Sequence, residues 1–270
     1  SIVSRKFFGQ PCPAPNPELL SRETPPSTSL LRAVPTTLPE GTVEISIVSS
    51  ADDLFDPDHG IVTHPFERGR PSERAAWVTA RQGSRIVLES PVGLRIHGGS
   101  SRVGPMKSLA LNFRKAYGGA STSPPELFFG SGPQPVKQLV LLAAYESSQF
   151  DSILATEIAR RLGCRTSQSI PATVRVNGTD ILAPYFITEH QSPEFVLHHY
   201  GMDKIDWFRL KGEAEPPESF IEWRRWQRKD RQMDLDEEAA QFDLEDLCSW
   251  VLAMSYTATT DNDQGAYYRD

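Results

Sequence analysis

The chain has 270 residues, of which 39% are hydrophobic and 23% charged, and its formal net charge is −7. That length fits one large or two small domains, and the apolar share is enough for a sizeable core, which excludes wholesale disorder. No run of about 18 apolar residues occurs, so no membrane-spanning helix is predicted, and the acidic balance argues against a nucleic-acid partner.

Residues 1–40 carry 8 of the 22 prolines, a density that blocks helix and central strand and predicts a linker or extended arm. Domain structure is expected from about Gly41. Residues 42–49 alternate apolar and polar side chains, as a half-buried strand does. Residues 52–60 are turn chemistry. Further strands are predicted at 75–80, 84–88, 92–97 and 108–113, separated by Gly, Ser and Pro clusters. Residues 148–162 form a predicted helix with Phe150, Ile153, Leu154, Ile158 and Leu162 on one face, Ser148 as cap and Gly163 as stop. Strands at 172–176 and 181–188 flank Asn177-Gly178, which predicts a hairpin with a type I′ turn. Helices follow at 193–200, 219–229, 235–242 and 244–256. The last has Asp243 as its cap and a stripe of Leu244, Leu247, Cys248, Val251 and Leu252 that is expected to be buried. Cys12, Cys164 and Cys248 have neither disulfide nor metal spacing.

The charge is localised. Residues 213–246 hold 12 acidic side chains against 5 basic ones, which accounts for the whole −7. The stretch reads as a solvated acidic surface or as a docking face for a basic protein.

Two loops could carry chemistry. In residues 95–107, Gly98, Gly99 and Gly104 let the backbone approach an anion, while Ser100, Ser101, Arg102 and Lys107 supply donors and charge. This is a candidate phosphate loop, though an ordinary hairpin loop has the same composition, and it matches neither the P-loop nor the kinase Gly-rich pattern. Arg102 and Lys107 are too polar for a core, so their substitution is expected to leave folding intact. The second loop holds Asp261, Asp263 and Gln264. A carboxylate can accept a substrate hydroxyl proton there, and an amide five residues on can bind magnesium. That position is Ala266, so Asp263 or Gln264 would have to serve or that ligand is absent, and an acidic Asn/Gly loop also reads as a plain turn. Glu157 is either an active-site acid or part of a solvated helix face with Arg160 and Arg161. Lys211 is either a nucleotide contact or exposed. His198-His199 reads as surface, because adjacent helical positions diverge.

The element order of strands, Gly-rich loop, helix, hairpin, helices and Asp-bearing loop is that of a protein kinase, by analogy of fold alone. The residues add a resemblance. DLFDPDHGI at 53–61, RIHGGSSR at 95–102 with Lys107 and Ser108, LVLLAAY at 139–145, ATEIARRLG at 155–163, VNG at 176–178 leading to Thr188 and Glu189, FRLKGE at 208–213 and TTD at 259–261 together resemble the spore-coat protein H (CotH) kinase family over about residues 43–270. The resemblance implies an α+β, two-lobed, atypical protein-kinase-like fold. Its N-lobe would be strand-rich, at about 41–188 with one inserted helix; the hinge would lie at 189–192 and the start of a helical C-lobe at 193–270. It also implies ATP and Mg²⁺ as cofactors, Ser/Thr phosphorylation of a Ser/Thr-rich, basic coat or surface protein, and an exported location. Arg102 and Lys107 then stand at phosphate-binding positions with Ser100, Ser101 and Lys211 in the nucleotide site. Glu189 is the acid ending the hairpin, Asp261 the catalytic residue, and Asp261, Asp263 and Gln264 the metal ligands. Two departures stand out. Asp151 replaces an Arg at the helix entry, and the family's Trp-Asp-x-Asp metal segment would lie past Asp270, so the 270 residues alone are expected to transfer phosphate poorly. The alternative reading is a non-catalytic coat or surface assembly module on the same scaffold.

Overall fold

The structure, a computed structural model, describes residues 41–123, 137–144, 147–164, 166–200, 206–209, 215–227, 243–257 and 266–269. The chain divides into two compact units, one within Ser1–Phe150 and Ser169–His190, the other within Asp151–Gln168 and Gln191–Asp270.

The first unit is built on seven strands: β1 (Val43–Ser49), β2 (Arg74–Gln82), β3 (Arg85–Ile96), β4 (Leu109–Asn112), β5 (Gln138–Ala143), β6 (Ser169–Val176) and β7 (Thr179–Glu189). They close into a barrel in the order β1-β2-β3-β4-β5-β7-β6. The pairing that closes it, β1 with β6, is parallel and runs from Val43 opposite Ala172 to Ile47 opposite Val176. Side chains alternate in and out along each strand, and the inward set fills the interior: Val43, Ile45 and Ile47 on β1, Ala76, Val78 and Ala80 on β2, Tyr185 and Ile187 on β7. Leu94, Leu111 and Leu139 stand in register across β3, β4 and β5 as one layer of that core.

Local signals placed several elements correctly. The β6–β7 turn has both Asn177 and Gly178 at positive φ, 49° and 79°, the I′ geometry whose twist suits a hairpin. Asn177 also bonds to β1. Its backbone N–H donates to the Ile47 carbonyl at 2.8 Å, its Oδ1 accepts from Ser49 N at 2.9 Å, and its Nδ2 donates to Ser49 O at 2.9 Å. The turn residue thus extends the parallel β1–β6 ladder by a further step. The strands expected at 84–88 and 92–97 are one strand, β3. Pro91 lies between them, opposite Trp77 of β2 and outside the Gly93–Ile96 stretch that pairs with β4, so its missing N–H leaves no β4 carbonyl unmatched. Part of the expected turn at 52–60 is a short helix, α1 (Ala51–Phe55), capped by the Ser50 side chain, with Leu54 and Phe55 buried.

The second unit holds most of α2 (Ser147–Arg161), then α3 (Pro193–Tyr200), α4 (Glu218–Gln227), α5 (Leu244–Tyr256) and a two-stranded antiparallel sheet of β8 (Asp206–Arg209) and β9 (Ala266–Arg269). Ala159, Cys164 and Ala253 form a buried cluster in it, and burial pushes the Cys164 thiol pKa up. Asp243 caps α5 as expected, its side chain accepting from Asp246 N at 3.0 Å. The stripe assigned to the core of α5 is not buried: Leu247, Cys248, Val251 and Leu252 are exposed, and Ala253 is the buried residue. Periodicity identifies an apolar face but does not say whether anything covers it. The helix expected at 235–242 lies outside the described residues. Among the described residues no helix is long and apolar enough to cross a membrane.

The expected two-lobed kinase fold with a helical C-lobe is not what the chain forms. The strand-rich half closes into a seven-stranded barrel, and most of the helix expected inside that half groups with the other unit. The closing contact joins segments 128 residues apart, and no local pattern announces a pairing at that separation.

Candidate functional site

The β3–β4 loop begins and ends at one point, because His97 N donates to Ser108 O at 2.8 Å. Between them Ser100–Val103 form a single turn of 3₁₀ helix. Gly98 sits at φ 111°, and a Cβ there would lie 2.5 Å from the Ser101 hydroxyl oxygen. Arg102 reaches back over the turn: Nε donates to Gly98 O at 2.5 Å, and Nη1 donates to Pro65 O at 2.6 Å and Glu67 O at 3.2 Å. Lys107 closes the loop from inside, its Nζ donating to Arg102 O at 2.6 Å and Gly104 O at 2.8 Å. Both residues are buried. Burial pushes both pKa values down, and for Arg102 the nearby positive charges of Arg68 and Arg95 add to the effect. These two cations hold the loop in shape through charge-assisted bonds to its carbonyls. The premise that both are too polar for a core is therefore corrected: neither is a surface residue.

The loop rests on one end of the barrel. Tyr185 points into the barrel, and its hydroxyl donates to Lys107 O at 2.9 Å; burial pushes its pKa up. Ser108 Oγ accepts from Ala143 N at 3.0 Å. Glu189 is the last inward residue of β7 after Tyr185 and Ile187, and is 2% exposed. Along the ladders Glu189 aligns with Leu139, Leu111 and Leu94, short of His97. Strands in a closed barrel tilt by about 35–45°, so residues aligned along a ladder stand at different heights along the barrel axis. The rings of His97 and His190 stand 6.0 Å apart, edge to face. Glu189 and the Lys107 loop thus converge on the same end of the barrel.

Other expected residues fall elsewhere. Lys211, Asp261, Asp263 and Gln264 lie outside the described residues. Ala266 is the first residue of β9, opposite Arg209. Glu157 is on the exposed face of α2 and accepts from Arg160 Nε and Nη2, each at 2.8 Å, and from Arg161 Nε at 2.9 Å. The bond from Arg160 is the main cause of its pKa falling to about 2, so it belongs to the solvated helix face. The His199 ring stacks on Phe195, with centroids 4.1 Å apart. Among the described residues no group of three His, Cys, Asp or Glu side chains could hold a metal ion.

One cluster near the loop has no sequence signature of the usual kind. The Glu73 carboxylate is closed to solvent. It accepts from Arg114 Nε at 2.8 Å and Tyr117 Oη at 2.9 Å and lies 3.8 Å from Arg95 Nε. It also lies so close over Gly93 that a Cβ there would collide with it. Burial, then the bond to Glu73, pushes the Tyr117 phenol pKa up. The partners are 41 and 44 residues apart, beyond any motif spacing. The usable signal was compositional: between Glu89 and Glu126 the chain has five Lys or Arg and no acid, so a carboxylate for any of those cations has to come from another segment.

The family model described as CotH kinase protein matches residues 94–269. The chain belongs to the CotH kinase protein family. No curated protein matches it. The CotH region contains Ser100, Ser101, Arg102, Lys107 and Glu189 at the barrel end, and also Lys211, Asp261, Asp263 and Gln264. It starts at Leu94 within β3, so β1, β2 and most of β3 precede it although the barrel needs all three to close. Membership assigns the chain a CotH-type function in general terms.

Proposed function

We propose that this chain is an ATP- and Mg²⁺-dependent protein kinase domain of the CotH type, acting on Ser/Thr residues of a Ser-rich protein of a spore coat or cell surface. The observation that carries the reading is the family match, which spans every residue assigned to phosphate, acceptor and metal. Convergence of the loop and Glu189 on one barrel end supports it. ATP supplies the γ-phosphoryl group, and magnesium neutralises charge on its oxygens. Transfer of this kind depends on positioning and on fixed positive charge. In this reading Lys107 acts by shaping the loop, because its ammonium is bonded to two loop carbonyls. Arg102, whose described bonds run through Nε and Nη1, offers Nη2 to a phosphate oxygen. Asp261 orients the acceptor hydroxyl, and Asp263 and Gln264 join it in holding magnesium.

The test has two stages. ATP with Mg²⁺ at about 100 times its dissociation constant should stabilise the protein by about 2.7 kcal/mol. Label from γ-labelled ATP should reach a Ser-rich acceptor, only slowly with these 270 residues alone, and be lost in Asp261→Asn. A protein that ATP does not stabilise, and that labels nothing, is not this kinase. One observation favours a second reading, a non-catalytic assembly module on the same barrel: both loop cations are bonded to backbone carbonyls of the protein itself. That reading expects capture of a coat protein with no stabilisation by ATP.

A further inference from the structure

The loop carries a second surface on its outer side. Because one guanidinium bonds the carbonyls of both Pro65 and Glu67, Arg102 fixes residues 65–67 against the 3₁₀ turn. Phe66, between those carbonyls, is 58% exposed, and Val103, next to Arg102, is 64% exposed. An exposed apolar patch with a polar rim is a common mark of an interaction surface. The rim is basic. Arg68 and Arg70 are exposed, and Arg68 and Arg95 lie close enough to Arg102 to depress its pKa. Arg95 and Arg114 share the buried Glu73, and Arg70 acts on Tyr117, which bonds that same carboxylate. Five guanidiniums therefore gather along the rim and around Glu73, with Glu67 the exposed carboxylate between Phe66 and Arg68 and Asp56 beyond His64, on a molecule whose net charge is −7.

We infer that the Phe66–Val103 rim with Arg68 and Arg70 is a docking surface for an acidic peptide segment of another protein that carries an apolar side chain. Like charges gathered on one rim favour an anionic partner. The two exposed apolar residues fit a side chain better than they fit a bare ion. An overall negative charge disfavours a nucleic acid here. The surface is independent of phosphoryl transfer, so it is tested without nucleotide, and its failure leaves the kinase reading where it was.

The experiment is fluorescence anisotropy of a labelled Asp/Glu-rich peptide containing one Leu, titrated with the full chain. Binding should weaken steeply with salt. The Arg68→Glu/Arg70→Glu variant should bind roughly tenfold or more weakly with an unchanged unfolding midpoint. Phe66→Ser should bind several-fold more weakly, and Glu67→Gln, which removes the exposed carboxylate of the rim, more tightly. A Lys-rich peptide bound equally well would overturn the inference. So would a charge-reversed rim that binds normally, or binding that requires phosphoserine in place of Asp and Glu. Self-association of the chain that disappears in the charge-reversed variant would make a second copy the occupant and overturn it as well.

Discussion

Glu73 is a single carboxylate on which β3, through Arg95, and the segment after β4, through Arg114 and Tyr117, depend. Removing one partner of a buried ion pair leaves the others desolvated and unpaired, which costs about 3–5 kcal/mol. Glu73→Ala should therefore lower stability by about that amount in urea titration at neutral pH, and Glu73→Gln, which keeps a polar partner for Tyr117 and Arg114, by less. Gly93→Ala should also destabilise, because its Cβ meets the Glu73 side chain, and overpacking of this kind costs about 1–3 kcal/mol. Lys107 tests the fastener role. Its two charge-assisted bonds are offset by the desolvation of its ammonium, so Lys107→Ala should lose about 2 kcal/mol. An unfolding midpoint equal to wild type would return Lys107 to the role of a simple ligand. Tyr185→Phe, which removes the hydroxyl's bond to Lys107 O, should cost about 1–2 kcal/mol. The residue types at 102 and 107 were evident from the sequence, but their roles were not. A cation in a Gly-rich loop can face a ligand or the carbonyls of its own loop, and composition is the same in both cases.

Among the elements, the β6–β7 hairpin was readable because its determinant is two adjacent residues. What the sequence did not announce is that Asn177 also serves β1. Asn177→Ala should cost about 1–2 kcal/mol, and it should also speed hydrogen exchange of the Ser49 amide, which the Asn177 side chain covers. A hairpin residue with no wider role would leave that amide unchanged. The α2 helix has its own pH dependence. Glu157 titrates near 2 when folded and near its ordinary value of 4.5 when unfolded. Its contribution is therefore complete above about pH 4.5 and is lost as pH falls towards 2. The side chain is 40% exposed, so solvent and salt screen the pairing and the effect is small. Wild type should lose slightly more stability than Glu157→Gln across that window, and added salt should narrow the gap. The apolar stripe of α5 marks the limit of reading elements alone: its period and its cap were plain, but its exposure depends on neighbours that no helical pattern encodes.

At the scale of the molecule, the barrel and the CotH match do not share boundaries. Because the match begins inside β3, a chain starting at Leu94 would lack β1 and β2 and leave β3 and β6 with open edges. Such a chain should show no cooperative thermal transition from the barrel, whereas residues 41–270 should show one; a sharp transition in the shorter chain would mean that closure is dispensable. Six of the seven barrel strands were evident, and β5, whose QLVLLA run does not alternate, was not; the closed topology was not evident either, because closure depends on a parallel contact between distant segments. That contact also sets the order of events during synthesis. β1 leaves the ribosome long before β6, with 128 residues between Ser49 and Asn177. At about 5–20 residues per second this is a delay of roughly 6–26 s. Throughout it, one edge of VEISIVS, the sequence of β1, has unmatched backbone groups of the kind that recruit strands from other nascent chains. The first strand of the barrel to be made is among the last to be paired on both sides, so yield in the cell should depend on how well that edge is shielded while the chain is still being made.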